Sequence, residues 1–153
     1  MARLILDDPR KLAEFIGKEL GVSQWHLVTQ DQIQQFADAT GDHQWIHLDA
    51  ERAKRASPFG ATIAHGFLTL SLISCMMREA AEIRDARMIV NYGLNRVRFP
   101  APVRVNSKVR ARFSLLNLNP VSDGLEAILT VTVECEDAAK PCCVAEWVLR
   151  FYL

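Results

Sequence analysis

The sequence predicts an α+β domain in which an antiparallel sheet wraps one central helix. The first observation is the stretch over residues 64–83, in which nearly every residue from Phe67 to Met77 is apolar or small. This is typical of a helix buried on nearly all sides. The second is a change of apolar period, from helical to alternating, that holds for the rest of the chain. Long alternating strands with short turns form antiparallel sheets that cover a core with one face. The helix and the sheet therefore pack as two layers around one core.

Length and charge narrow the class of protein further. A chain of 153 residues fits one domain, so we assign residues 1–153 to a single unit. Lys plus Arg equals Asp plus Glu at 18 each, which gives no reason to expect a nucleic acid or a membrane surface as a partner. Thr69, Ser71 and Ser74 interrupt the apolar stretch, which is also too short for a membrane span.

The cysteines and the first residues bear on the compartment. Asp7 and Asp8 come too early for the apolar region of a secretory signal. The four cysteines, at positions 75, 135, 142 and 143, lack the spacing of a disulfide scaffold or a zinc ribbon. We therefore expect reduced, packed thiols in a cytoplasmic protein.

Residues 1–22 are predicted to be a helical extension packed on the domain. Asp8 is placed to cap a helix that starts with Pro9. Apolar residues then recur at helical spacing from Leu12 to Leu20, and Gly21 fits the C-terminal stop.

The rest of the chain is read from local signals. A short strand is predicted at 24–28, followed by a helix that Thr29 and Gln32 open as a capping box and that ends at Thr40-Gly41. Residues 50–56 read as a short charged helical turn. Strands are predicted at 90–99, with a bulge near Asn95-Arg96, and at 103–115, 125–135 and 143–151, with a turn region over 117–124.

Asp42 and His47 are the first candidates for chemistry. They lie five residues apart, after Gly41 and around the apolar pair Trp45-Ile46. A carboxylate and an imidazole together in a partly dry pocket can hold and polarise a water molecule. From the spacing alone, an aspartate that caps a turn beside a surface histidine is the simpler interpretation.

A metal site is the second candidate, because His43 and His47 have His-x-x-x-His spacing. A zinc peptidase carries a glutamate directly after the first histidine, whereas this chain has Gln44. Asp42, Asp49 or His65 are available as a third ligand, yet no spacing requires one. We expect no metal.

The start of the central helix is the third candidate. The first N–H groups of a helix have no partner within it, and the helix dipole makes that end positive. Gly66 has no side chain, so its N–H is open to a carbonyl oxygen that gains negative charge. An equally good interpretation is that Gly66 only lets the helix entry pack tightly. Ser74, two turns further on, either reaches a polar group or bonds its own backbone.

The chain resembles the MaoC-like dehydratases, which include the (R)-specific enoyl-CoA hydratases. The resemblance rests on three stretches that span residues 33 to 115: Phe36-Ala37-x-x-x-Gly41-Asp42-x-x-x-Ile46-His47-x-Asp49, Phe59-Gly60-x-x-Ile63-Ala64-His65-Gly66, and the strand that ends in Phe99-Pro100-Ala101-Pro102-Val103. Much of the family has Asn-Pro where this chain has Gln44-Trp45. In this respect the chain is similar to the branch of the family that contains nodulation protein N.

The resemblance implies a hot-dog fold, a homodimer and a coenzyme A thioester substrate. By that analogy, Asp42 activates a water for attack at Cβ of a trans-2-enoyl thioester. His47 orients the water and delivers a proton to Cα, the Gly66 N–H holds the thioester oxygen, and Ser74 steadies the dyad. The product is an (R)-3-hydroxyacyl thioester, formed without a metal or redox cofactor.

The same stretches imply the substrate contacts, with Trp45 altering the shape of the acyl pocket. The residues expected to line the substrate site are Gln44, Trp45, Phe59, Gly60, Ile63 and His65. Candidates for the coenzyme A phosphates are Arg52, Lys54, Arg55, Arg96, Arg98 and Arg104, each of which is also compatible with an ordinary solvated surface.

Two other functions compete with hydration. A hot-dog thioesterase would cleave the thioester, although such enzymes do not usually carry the Asp42–His47 spacing. A non-catalytic acyl-CoA or acyl-carrier binding module is the other alternative, and a complete dyad argues against it.

Overall fold

A computed structural model describes residues 2–153, so Met1 of the predicted domain and extension lies outside the described residues. The helices are a 3-10 helix at Pro9–Phe15, α1 at Gln30–Thr40, α2 at Trp45–Leu48, α3 at Ala50–Ala56 and α4 at Gly66–Ala80. The strands are β1 at Leu4–Leu6, β2 at Glu19–Val22, β3 at His26–Leu27, β4 at Ala81–Ile83, β5 at Met88–Arg98, β6 at Lys108–Val121, β7 at Gly124–Cys135 and β8 at Cys143–Tyr152.

The main sheet has the order β2-β6-β7-β8-β5, and β3 pairs with β6 beside β2. Every pair in this sheet is antiparallel. Helix α4 packs against the sheet, and Ile73 and Met76 of the helix join Phe113, Leu129 and Val131 of the strands in one core. The predicted α+β architecture, an antiparallel sheet around one central helix, is confirmed.

Helix α4 is shorter and more open than the sequence predicts. It begins at Gly66 because His65 keeps an extended backbone, and it ends at Ala80 because Ala81 turns extended and starts β4. The prediction of burial on nearly all sides is wrong for one face, where Phe67 is 70% exposed and Ser71 and Cys75 are also exposed. This side of the helix is left uncovered by the single chain.

The predicted helical extension is the largest error. Asp8 does cap a helix that starts at Pro9, but that helix is a 3-10 helix that ends at Phe15. The segment is instead bounded by β1, which pairs in parallel with β4, and β2, which pairs with β6. Gly21 lies in β2 rather than at a helix stop, and a Cβ there would sit 2.6 Å from the carbonyl oxygen of Ala80.

Several other elements match the expectations. Thr29 accepts a hydrogen bond from the Gln32 N–H to cap α1, and Gly41 ends it in the left-handed conformation. The bulge in β5 lies between Leu94 and Arg96, with a second one between Asn91 and Gly93.

The predicted turn at 117–124 is wrong in extent, because β6 and β7 continue around a bulge after Leu115 and leave only residues 122 and 123 between them. The strand predicted from 103 begins only at 108, because Asn106 adopts a φ of 66°.

The four cysteines lie in two kinds of environment. All four cysteines are free, and Cys135, Cys142 and Cys143 are buried whereas Cys75 is exposed. Burial raises the pKa of Cys142 to about 12 and that of Cys143 to about 11, so both are neutral thiols. Within residues 2–153, every helix is too short or too polar to cross a membrane.

Candidate active site

The loop between α1 and α2 carries the predicted dyad. Gly41 takes a φ of 79° and turns the chain sharply at the end of α1, so that Asp42 begins a new direction. Asp42 is exposed, whereas His47, in the single turn of α2, is only 6% exposed. His47 is therefore not the surface histidine that its spacing also allowed.

The hydrogen bond of His47 determines its tautomer. Its Nδ1 lies 2.7 Å from the carbonyl oxygen of Ile63. A carbonyl oxygen only accepts hydrogen bonds, so in the neutral ring Nδ1 carries the proton and Nε2 keeps its lone pair. The structure shows that the backbone of Ile63 orients the imidazole, and the predicted contact of its side chain with substrate stays a prediction.

Two residues outside the sequence motifs, the half-buried Gln30 and the buried Thr62, also hold this arrangement. The Gln30 side-chain amide donates to the carbonyl oxygen of His47 at 2.8 Å. The hydroxyl of Thr62, which is 1% exposed, donates to Gln30 Oε1 at 2.7 Å. No local signal points to either residue, because the contacts bridge 17 and 32 residues of chain.

His65 adds a second buried imidazole beside Asp42 and His47. It is 2% exposed and stacks on His47 with ring centroids 3.9 Å apart. Its Nε2–H donates to the backbone carbonyl oxygen of Asp42 at 2.9 Å. Its Nδ1 is buried without a partner among the described residues. His65 was expected to line the substrate site, and the structure places its ring against the dyad.

The surroundings of His47 favour its neutral form. Burial is the largest cause and lowers the pKa of His47 below 6.5, and the charge that His65 can carry adds to the effect. The hydrogen bond to Ile63 and the carboxylate of Asp42 act in the opposite direction but do not outweigh burial. A neutral imidazole with a free Nε2 accepts a proton from water at neutral pH.

Gly66 is the first residue of α4 and lies at the wall of a cavity of about 380 Å³. Phe59, Ile63 and Phe99 line the same cavity. A Cβ on Gly66 would stand 3.1 Å from the Phe99 ring, so the glycine leaves room beside the helix N-terminus. The sequence marks Phe99 only as part of the motif that ends a strand, and no local pattern predicts its approach to Gly66.

Ser74 lies apart from this cluster. It lines a second cavity of about 470 Å³ with Met77, Asn91 and Trp147. Eight residues separate it from Gly66 along α4, a rise of about 12 Å. Within the described chain the cavity of Ser74 does not include Asp42 or His47, so its role beside the dyad stays a prediction.

The other expected contacts are more peripheral. Gln44 is exposed, and its N–H lies 3.4 Å from Asp42 Oδ1. Trp45 is half-buried, with the Arg52 guanidinium 4.2 Å above its ring. Gly60 takes a φ of 69° in the loop before α4, and a Cβ there would stand 3.8 Å from the guanidinium of Arg104.

The three site side chains do not fit a shared metal ion well. Asp42, His47 and His65 each place one potential ligand atom within 4.8 Å of the others. Zinc, however, bonds imidazole nitrogens at about 2.0–2.1 Å along the lone pair in the ring plane. The rings of His47 and His65 are stacked with their planes 25° apart, so an ion that lies in the plane of one ring lies outside the plane of the other. His43, the other half of the predicted spacing, pairs with Asp38 instead.

The fold and the site define a class of protein. An antiparallel sheet around one helix is the hot-dog fold, and in this chain a buried imidazole lies beside the N-terminus of that helix. The MaoC like domain family profile matches residues 11–136. The chain belongs to the MaoC family.

Relatives and solved structures agree with this assignment. The protein named 3-hydroxyacyl-thioester dehydratase Z, from Mycobacterium tuberculosis H37Rv, is 50% identical over 141 residues that cover 92% of this chain and 93% of the relative. Nodulation protein N from Rhizobium leguminosarum bv. viciae is 50% identical over 137 residues, covering 87% and 84%. A structure of a monoamine oxidase regulatory protein from Archaeoglobus fulgidus superposes with a TM-score of 0.77 at 19% identity, covering 100% and 99% of the two chains, which supports the hot-dog fold.

Proposed function

We propose that this chain is a hydro-lyase that adds water to a trans-2-enoyl thioester to give an (R)-3-hydroxyacyl thioester, and that it also catalyses the reverse dehydration. The observation that carries the proposal is the pairing of Asp42 with a buried, neutral His47 whose Nε2 is free, beside the N-terminus of α4. The name of the mycobacterial relative, a 3-hydroxyacyl-thioester dehydratase, supports this reaction class.

In the proposed mechanism Asp42 and His47 share one water molecule. The carboxylate accepts one of its hydrogen bonds and aims its oxygen at Cβ. As the O–Cβ bond forms, the second proton moves to His47 Nε2, which then delivers it to Cα. The water oxygen keeps one proton as the 3-hydroxyl group, and His47 returns to its neutral form. Positioned acid–base groups of this kind typically contribute about 10²- to 10⁴-fold in rate.

Addition at Cβ pushes negative charge onto the thioester oxygen. In our proposal the N–H of Gly66 receives that oxygen, because it belongs to the first turn of α4 and opens onto the cavity beside Phe99. One such donor is typically worth about 3–4 kcal/mol of transition-state stabilisation. The chain supplies each group that this chemistry needs, so we propose that no cofactor takes part.

The ends of the substrate fall on different parts of the chain. The cavity lined by Ser74, Met77 and Trp147 is mostly apolar and flanks the same helix as Gly66, so we propose that it receives the acyl chain. At the other end, Arg104 exposes its guanidinium beside Gly60, without an acidic partner among the described residues. We propose Arg104 as a contact for a coenzyme A phosphate.

We also propose a homodimer that pairs through β5. This strand is at the edge of the sheet, and it exposes Met88, Ile89, Tyr92 and Leu94 to between 40% and 57%. An exposed apolar edge strand needs cover, and a second copy of the chain can supply it. Light scattering is expected to give twice the 17.2 kDa chain mass, whereas a monomeric mass would overturn the dimer.

The cysteines bear on the compartment that we propose. All four are free thiols and three of them are buried, which supports a cytoplasmic setting.

The test of the reaction uses purified protein with crotonyl-CoA and a longer trans-2-enoyl-CoA. We expect the enoyl absorbance to fall and the product to be a substrate for an (R)-specific 3-hydroxyacyl-CoA dehydrogenase only. Release of free thiol from a saturated acyl-CoA would favour the thioesterase instead. Tight acyl-CoA binding without turnover of either enoyl substrate would favour a binding module.

A further inference from the structure

His65 makes contacts that an ordinary core residue would not need. Its ring is packed between His47, at 3.9 Å, and Phe36, at 4.9 Å between centroids. It is only 2% exposed, yet Nδ1 has no hydrogen-bond partner in the described structure. A buried polar atom without a partner costs about 1–3 kcal/mol. An apolar residue would fill the same space without that cost, so the ring nitrogens call for an explanation.

The explanation lies in the hydrogen bond from the other ring nitrogen. His65 Nε2–H donates to the carbonyl oxygen of Asp42 at 2.9 Å. The remaining contacts of Asp42 are long: its N–H lies 3.5 Å from Thr40 Oγ1, and its Oδ1 lies 3.4 Å from the Gln44 N–H. Among the described residues the bond from His65 is therefore the one short hydrogen bond that fixes this exposed loop residue.

The backbone of His65 carries a second connection. It is the residue directly before Gly66 and caps α4 with an extended backbone. On its N-terminal side, the Ala64 N–H donates to the carbonyl oxygen of Val103 at 2.8 Å, which ties the segment to the chain that follows β5. The ring of His65 thus joins the Asp42 loop, 23 residues earlier, to the point where α4 begins.

We propose that His65 is a positioning residue that fixes the carboxylate of Asp42 relative to His47 and to the N–H of Gly66. The proposal rests on the proposed function, in which these three groups act on one substrate. A displacement of about 1 Å between such groups can cost 10²-fold in rate. His65 acts through Asp42 and by stacking on His47 and contacts no reacting atom itself, in contrast to the substrate contact expected from the sequence.

Two substitutions separate the hydrogen bond from the rest of the side chain. In His65→Gln the amide nitrogen lies where Nε2 was and still donates to the Asp42 carbonyl oxygen. In His65→Asn the amide is too short to reach it. We expect His65→Asn to lower kcat about 100-fold with KM nearly unchanged, and His65→Gln to stay within about tenfold of the wild type. Equal kcat in the two variants, or a change in KM alone, would overturn the proposal.

A second measurement does not depend on any substrate. Amide hydrogen exchange over residues 41–44 is expected to accelerate in His65→Asn and to remain at the wild-type rate in His65→Gln. Unchanged exchange in His65→Asn would overturn the positioning role even in an active enzyme. If the wild type hydrates no enoyl thioester, the proposed function fails while the exchange result still decides the role of His65. Should His65→Asn not fold, His65→Leu, which fills the buried site without a donor, replaces it in both experiments.

Discussion

The Nδ1–H of His47 donates to the backbone carbonyl oxygen of Ile63 at 2.7 Å, and this bond leaves Nε2 as the free base of the site. The two residues belong to different segments, since His47 lies in α2 and Ile63 in the loop before α4. The Ile63 N–H in turn donates to the carbonyl oxygen of Ile46 at 3.1 Å. These two hydrogen bonds hold the imidazole in one orientation and keep α2 beside the N-terminus of α4.

The first prediction concerns pH. Burial, the largest cause, lowers the pKa of His47 below 6.5, so the imidazole stays neutral to a more acidic pH than a free histidine does. Because the proposed reaction needs Nε2 unprotonated, kcat/KM for hydration should be retained below pH 6.5 and fall only as the pH drops through the lowered pKa. A pH profile of kcat/KM checks this. An acidic limb centred at or above 6.5 would contradict it.

The second prediction concerns the N–H of Gly66. In Gly66→Ala the added methyl would meet the Phe99 ring at 3.1 Å, and the ring, which is 42% exposed, can shift to make room. The fold should therefore survive, since alanine also favours a helix by up to about 1 kcal/mol. Crowding at the N–H should lower kcat, by less than the roughly 10²–10³-fold that loss of a whole oxyanion donor costs.

The control for this change is the double variant Gly66→Ala with Phe99→Leu. The smaller side chain should relieve the contact and restore part of the activity. Full activity in Gly66→Ala alone would mean that the thioester oxygen does not bind at this N–H.

The third prediction compares two glycines in strands. A Cβ at Gly21 would stand 2.6 Å from the backbone carbonyl oxygen of Ala80, which cannot move without shifting the end of α4. Gly93 has nothing within 4 Å of the same position. Gly21→Ala should therefore lower the free energy of unfolding by about 1–3 kcal/mol, while Gly93→Ala changes it little. Urea unfolding measures both, and equal effects would show that β2 does not press on α4.

The fourth prediction concerns the acyl chain. Met77 is buried and lines the cavity that also holds Ser74 and Trp147. Met77→Phe should narrow this cavity and lower kcat/KM for a long enoyl-CoA more than for crotonyl-CoA, since only the long chain reaches it. The ratio of the two kcat/KM values is the measurement. A ratio equal to that of the wild type would mean that the acyl chain binds outside this cavity.

The sequence predicts those parts of the site that depend on local contacts. The Gly41 turn, the capped helix before it and the place of His47 after an apolar pair are all encoded within a few residues. The alternating strands of the sheet were predicted for the same reason, because their pattern reports directly which face is buried.

The parts that were missed depend on residues far apart in the chain. β1 forms because it pairs with β4 more than seventy residues later, and β2 forms because it pairs with β6. The capped segment with helical spacing therefore becomes a 3-10 helix followed by a strand. The contact of His65 with Asp42 spans 23 residues and has no local pattern. The Phe67 face of α4 was predicted to be buried because nearly every residue of the stretch is apolar or small, and that pattern does not show whether another element covers the face.

The most direct test of the account is hydration of crotonyl-CoA, followed at the enoyl absorbance, by the wild type, Asp42→Asn and His47→Gln. Both substitutions keep the size of the side chain and remove the base. The account predicts an active wild type and a loss of about 10²- to 10⁴-fold in each variant, with thermal unfolding showing that both remain folded. Activity that is unchanged in the two folded variants would contradict the account, because the chemistry would then lie outside Asp42 and His47.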